Sequence, residues 1–183
     1  VREICDRYGI LLIDDEVVCG FGRTGKMFGI EHFGVTPDIM TLAKGLGSSY
    51  VPIGAVIVTT QIADAFAGKE NIFYAALTAG GHPVSTASAL ANINIIEQEG
   101  LVEASAVKGR YFINRLNNLA VKHPIVGDVR GMGLLVAIEL DSKFTIDDKE
   151  LGDWLVNTFK DNGLLLRTLG SRVIQMSPPL CIT

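Results

Sequence analysis

The chain has 183 residues, with 16 Lys and Arg against 20 Asp and Glu, for a formal net charge of −4. That balance argues against a nucleic-acid partner, which calls for a basic face. Hydrophobic residues make up 48% and charged residues 20%, a globular and not a disordered composition, and no apolar run approaches the roughly 20 residues of a membrane span.

Cys5, Cys19 and Cys181 lie far apart and form no CxxC, so neither a disulfide framework nor a zinc site is indicated. No secretory signal opens the chain, and a cytoplasmic location is the expectation. Both ends read as cut: Val1 stands in a helix already under way, and Thr183 directly follows an apolar stretch.

Val1, Ile4 and Tyr8 have helical spacing, and Gly9 marks a stop. Ile10 to Ile13 is a continuous apolar run, the pattern of a strand buried on both faces, and it ends in Asp14, Asp15 and Glu16. A glycine-rich loop covers 20–25. A short helical stretch near 27–33, a Thr-Pro-Asp turn at 36–38 and a second strand at 39–43 follow. Lys44 lies just beyond that strand, ahead of Gly45 and Gly47. Residues 52–59 read as a third strand, 61–67 as a short helix and 71–81 as a loop. A long helix covers 82–99, with Pro83 in its first turn, where a missing N–H costs nothing. Another amphipathic helix covers 101–121. After His123-Pro124 the pattern changes to strands at 126–130 and 134–140, a helix at 149–161 and a hairpin of 164–167 with 172–176. Alternation of strand and helix predicts an α/β fold with a mostly parallel sheet in 1–110. Residues 111–183 read as a smaller α+β domain, with the boundary inside the helix 101–121.

Gly20, Gly22 and Gly25 satisfy GxGxxG, and 20–26 satisfies GxxxxGK, yet neither context suits a nucleotide. Both motifs need a strand running directly into the first glycine, so that N–H groups meet phosphate. Here three carboxylates intervene, and Met27 lacks the hydroxyl a P-loop needs for Mg²⁺. A tight loop with positive φ is the simpler reading.

Asp15 and Lys44 are the better pair. Open α/β sheets bind ligands at the carboxyl ends of their strands, and each of these residues leaves a predicted strand at that end. If the strands are neighbours, a carboxylate and an amine converge on one crevice. A buried lysine with lowered pKa is a nucleophile able to form a Schiff base. A buried carboxylate can hold a ring nitrogen protonated. Those are the two groups pyridoxal 5'-phosphate requires. A structural ion pair accounts for the same spacing.

The stretch LLIDDEVVCGFGRTGKMFGIEHFGVTPDIMTLAKGLGSSYVPIGAVIV resembles the core of the class III, or omega, aminotransferases, which are fold type I pyridoxal-phosphate enzymes. The resemblance continues through TAGGHPVSTASALANINIIEQEGL, HPIVGDVRGMGLLVAIEL and GLLLRTLGSRVIQMSPPLCIT, and so covers essentially the whole chain. The 29-residue separation of Asp15 and Lys44 suits the family. The resemblance implies that 1–110 is the C-terminal part of the cofactor-binding large domain, and 111–183 the small domain, incomplete at its end.

It also implies roles. Asp15 would salt-bridge the pyridine nitrogen and keep the ring an electron acceptor. Val17 would pack against the ring face. Lys44 would be the imine anchor and, once released by substrate, the base and acid that move the proton. Thr78 would hydrogen-bond the phosphate of a neighbouring subunit's cofactor, which makes a homodimer with shared sites the expected assembly. Arg167 would pair with a substrate carboxylate through a bidentate fork and swing away for an uncharged amine.

Three departures from the family pattern matter. Many relatives that use glutamate or 2-oxoglutarate carry Gln at Val18, in contact with the cofactor's phenolic oxygen. Val18 in its VCGFGRTG context resembles the pyruvate-coupled branch acting on omega-amino acids or amines, such as taurine and β-alanine. The aromatic and serine residues usual around the threonine are replaced by Leu77, Ala79 and Gly80. The family's N-terminal half and last helix are absent from the match. The expected reaction moves an amino group from a small-molecule donor to a keto acid, pyruvate. The alternatives are an aminomutase, racemase or decarboxylase of the same fold, a nucleotide-binding dehydrogenase using 20–25, or a fragment with no activity of its own. His32, His82, His123, Arg23, Arg130 and Cys19 read as structural, and Trp154 as packing.

Overall fold

The computed structural model describes residues 1–68, 70–143 and 148–183. They form two compact units. Val1–Gly22 with Lys26–Gly100 make the first, and Arg23–Gly25 with Leu101–Thr183 the second. Among the described residues no helix is long and apolar enough to cross a membrane.

The first unit opens with α1 (Arg2–Tyr8), which Gly9 ends in the left-handed conformation (φ 63). Its sheet has the order β1-β2-β3, with β1 Ile13–Asp15, β2 Ile39–Leu42 and β3 Ala55–Val58. β1 and β2 are parallel, Ile13 opposite Ile39 and Asp15 opposite Thr41. β2 and β3 are antiparallel. The expectation of a mostly parallel sheet therefore fits the first pairing and not the second. The seven residues between Gly47 and β3 are too few for a crossover helix, and a short return makes an antiparallel neighbour.

The first strand also lies later than its apolar run suggests. Leu12 precedes the ladder, its carbonyl accepting from Asp38 N–H (2.9 Å) and Ile39 N–H (3.1 Å). Asp38 also accepts from Leu12 N–H (2.7 Å) and pairs with Arg2 (2.8 Å), fixing the entry of β2. Pairing starts at Ile13, so two of the carboxylates themselves, Asp14 and Asp15, are strand residues. After β3 come α2 (Thr60–Ala65) and α3 (Pro83–Gln98). His82 caps α3 with Nδ1 accepting from Val84 N–H (3.2 Å), and Pro83 occupies its first turn.

The second unit is an antiparallel sheet of order β4-β5-β7-β6. Its strands are β4 (Val126–Met132), β5 (Leu135–Leu140), β6 (Arg167–Leu169) and β7 (Val173–Met176). The sheet is covered by α4 (Leu101–Lys122) and α5 (Asp148–Asp161). The residues of β5 alternate between half-buried and buried. Val136, Ile138, Leu140 and Ile174 form a core with Leu116, Leu151 and Leu155. α4, inside which the sequence suggested a boundary at 110/111, runs uninterrupted within this unit. Gly109 explains its close approach, because a Cβ there would overlap the Gly133 backbone. Trp154, expected as packing, is 59% exposed on α5.

Arg23–Gly25 belong to this unit through specific bonds. Arg23 carbonyl accepts from Leu134 N–H (2.9 Å) and Ser105 Oγ (3.2 Å), and its guanidinium donates to the carbonyls of Leu134 (3.2 Å) and Pro178 (2.6 Å). Gly25 has φ +87, and a Cβ there would stand 2.9 Å from Ala106. Helix packing and a left-handed turn therefore account for this glycine. No helix N-terminus follows the loop, only a 3₁₀ turn at Gly29–Phe33, so the dinucleotide and P-loop readings have no structural support.

Candidate active site

In the first unit, β1 and β2 are adjacent and parallel, and both run toward the same edge of the sheet. Asp15 is the last residue of β1, and Lys44 follows β2 after one intervening residue. The sequence condition for a shared crevice, neighbouring strands, is met. Val17 and Val18 continue from Asp15 at this edge, Val17 half-buried and Val18 exposed.

Asp15 is fixed on one side. Its Oδ1 accepts from Thr41 Oγ1 (3.0 Å) on the register-paired strand and from Val17 N–H (3.0 Å). Those bonds engage one carboxylate oxygen and leave the other available. The Lys44 ammonium makes no hydrogen bond or ion pair among the described residues, and it is exposed, as Asp15 is. The expectation that both groups are buried is thus not met. The carboxylate that is buried is Glu16, 2% exposed.

Alternation along β1 sends Asp14 to the sheet face opposite Asp15, and Glu16 lies beyond it on that side. Glu16 Oε1 accepts from Ile30 N–H (2.7 Å). Glu16 Oε2 and Asp14 Oδ2 are buried without a donor. Burial first, then a hydrogen bond to Glu16 and repulsion from Glu16 and Asp15, raise Asp14 to about 6. A proton on Asp14 gives the two facing carboxyls the donor both lack. Burial raises the Cys19 thiol as well, with the charges of Glu16, Asp14 and Asp15 adding to it, so this cysteine is an inert thiol.

The turn that carries Lys44 is strained. Lys44 has φ 36 and Phe21 has φ 58, and both are left-handed without being glycine. A Cβ on Gly45 would stand 2.9 Å from Phe21 Cβ, so only glycine fits beside this buried ring. Asn92 on α3 reaches the same turn. Sequence reasoning passed over Glu16, Phe21 and Asn92. Asn92 did carry a signal: it shares the helix face of Ala89 and Ile96, and a polar residue on a buried face is the informative one.

Thr78 starts the exposed turn 78–81 ahead of α3, in the first unit. Arg167 starts the edge strand β6 of the second unit and is exposed. Arg130, in contrast, is engaged by Asp128 (2.6 Å) and Glu139 (2.7 Å).

The family model for class-III aminotransferases matches residues 1–183. An uncharacterized aminotransferase of Bacillus subtilis is 43% identical over 100% of this chain and 43% of its own length. The putrescine–pyruvate aminotransferase of Pseudomonas aeruginosa is 42% identical over 100% of this chain and 40% of its own. The taurine–pyruvate aminotransferase of Bilophila wadsworthia is 49% identical over 76% of this chain and 32% of its own. Among solved structures, an (S)-enantioselective omega-transaminase from Thermomicrobium roseum superposes with a TM-score of 0.92 at 41% identity, over 99% of this chain and 41% of that one. A PLP-bound amine transaminase from an uncultivated Pseudomonas species gives a TM-score of 0.92 at 40% identity, over 100% and 43%. The chain spans about two fifths of the length of the relatives it matches.

Proposed function

This chain belongs to the class-III aminotransferases, a pyridoxal-phosphate-dependent family, and from that premise we propose that it serves the transfer of an amino group from an omega-amino acid or amine to pyruvate. The observation that carries the reading is the pair of accessible groups at one sheet edge: the Asp15 carboxylate ending β1 and the Lys44 amine beyond the parallel neighbour β2.

The residues fit the cofactor. Asp15 has one oxygen held by Thr41 and Val17 and another available to keep a ring nitrogen protonated. Lys44 offers an unpaired amine to an aldehyde. When bound, pyridoxal phosphate supplies an electron sink for the substrate carbon. The Lys44 amine, once free, would serve there as the base and then the acid that moves the substrate proton. Val17 would pack on the ring, and Val18 would offer its phenolic oxygen no hydrogen bond. Thr78 would hold the phosphate of a second copy's cofactor, which would make the working unit a homodimer. Arg167 receives the substrate carboxylate. The pyruvate coupling rests on Val18 and on the putrescine–pyruvate and taurine–pyruvate relatives.

The test is a donor–acceptor panel on the complete gene product. Taurine, β-alanine and putrescine are offered with pyruvate or 2-oxoglutarate. Turnover with pyruvate, and borohydride fixation of the cofactor on Lys44, are expected. Turnover with 2-oxoglutarate alone overturns the pyruvate assignment, and fixation on another lysine overturns the site.

A further inference from the structure

The geometry points to Asn92 as a positioning residue for Lys44: its buried amide clamps the turn that holds the reactive amine at the sheet edge. This inference rests on the reading of Lys44 as the cofactor anchor.

Asn92 is 8% exposed. Its Nδ2 donates to the carbonyls of Gly45 (2.7 Å) and Leu46 (3.1 Å), and its Oδ1 accepts from Ser48 Oγ (2.7 Å). The orientation of the amide is unambiguous. Two carbonyl oxygens only accept, so the nitrogen must face them. Three of the side chain's four hydrogen-bonding positions are therefore spent on a single four-residue segment directly after Lys44. That segment cannot hold its shape by local preference. Lys44, Ser48 and Ser49 all have positive φ (36, 46 and 63) without being glycine, and such conformations persist only where the surroundings over-determine them. Backbone bonds inside the turn are few: Leu46 N–H to Ala43 carbonyl (2.8 Å), Gly47 N–H to Lys44 carbonyl (3.2 Å) and Tyr50 N–H to Gly47 carbonyl (3.0 Å). Phe21 closes the other side against Gly45. The clamp comes from a helix 44 to 47 residues away in sequence, so it ties the lysine's backbone to the rigid body of α3. A side chain whose only task is to fill space there would be Leu or Ile, and one that satisfies a single stray carbonyl would make one bond.

The experiment compares Asn92→Leu, Asn92→Asp and Ser48→Ala in the apoenzyme of the complete gene product. Two quantities are measured. One is the rate at which added pyridoxal 5'-phosphate becomes borohydride-fixable on Lys44. The other is the affinity for pyridoxine 5'-phosphate, which has no aldehyde and reports pocket integrity alone. Asn92→Leu is expected to slow capture by about ten- to a hundredfold, the loss a misplaced reacting group brings, with pyridoxine phosphate affinity within about threefold of the parent. Asn92→Asp sets an anionic oxygen against two carbonyls and should be as slow at high pH. It should recover toward the parent, measured at the same pH, as acid protonates the new carboxyl and restores one donor. Ser48→Ala, which loses one part-buried bond, keeps the test decisive if both Asn92 variants fail to fold, and slower capture is again expected.

Parental capture rates in the folded variants, or equal losses of capture and of pyridoxine phosphate affinity, overturn the inference and make Asn92 a structural residue. Failure to fix the cofactor on Lys44 in the parent overturns the anchor reading instead, and the two failures are thereby told apart.

Discussion

The two sheets are built of strands of comparable apolar character and end in opposite conditions. In the antiparallel sheet of the second unit, β5 buries every second residue, and Val136 and Ile174 are each 1% exposed. In the first unit's sheet, Ile13, Val56 and Ile57 are each more than half exposed, and β3 has no buried residue. An alternating strand needs cover on one face, which α4 and α5 supply. A continuously apolar strand is suited to cover on both faces, and among the described residues the first sheet has little on either. The candidates Asp15 and Lys44 lie at the end of β1 and just beyond β2 of this open sheet, whereas the larger apolar cluster lies in the other unit. The candidate pair and the larger apolar cluster thus lie in different units.

Substitutions that strike one part and spare the other can break this contrast. The largest effect should come from the second unit's core. Ile174→Ala is expected to cost about 2–5 kcal/mol in denaturant unfolding, as buried large-to-small changes do. Ile57→Ala, the matching change on β3, should stay within about 0.5 kcal/mol. Equal losses would mean that the first sheet is covered in the working protein. Gly109→Ala should cost about 3 kcal/mol by forcing α4 off the Gly133 turn, and a mild result would show that this contact yields.

Arg167→Ala tests whether the packed unit also takes part in chemistry. If Arg167 meets substrate carboxylates, kcat/KM for pyruvate should fall about 30-fold, roughly 2 kcal/mol, while use of a simple amine donor changes little. Parallel losses would return Arg167 to a structural role.

The smallest effect is the pH dependence of the Asp14–Glu16 pair. Asp14 titrates near 6 in the folded chain, above its ordinary 3.8. The folded state therefore binds more protons between those values, and stability falls as pH rises from about 4 to about 6. The Asp14→Asn variant should lack that slope and be more stable than the parent above pH 6. Solvent screening limits the difference to about 1 kcal/mol. Thermal unfolding at pH 5 and pH 8 measures it, and a parallel pair of curves would show that the two carboxyls share no proton.

The amino-acid sequence by itself determined the local punctuation and the inventory of reactive groups. Gly9 stops α1 because only glycine enters the left-handed region without cost, and Pro83 starts α3 because its missing N–H is never needed there. Asp15 and Lys44 were legible as strand-end residues, and the long motifs around them pointed to the family that the comparisons show. Tertiary structure alone decided which strands pair and in what sense. The parallel β1–β2 contact sets the two groups at one edge, and the antiparallel return of β3 departs from the expected order. It also decided that Glu16 and not Asp15 is buried, that Arg23–Gly25 join the second unit, and that Asn92 grips a turn more than 40 residues away. Such outcomes depend on which faces find cover and on which distant carbonyls need a donor, and no window of neighbouring residues contains that information.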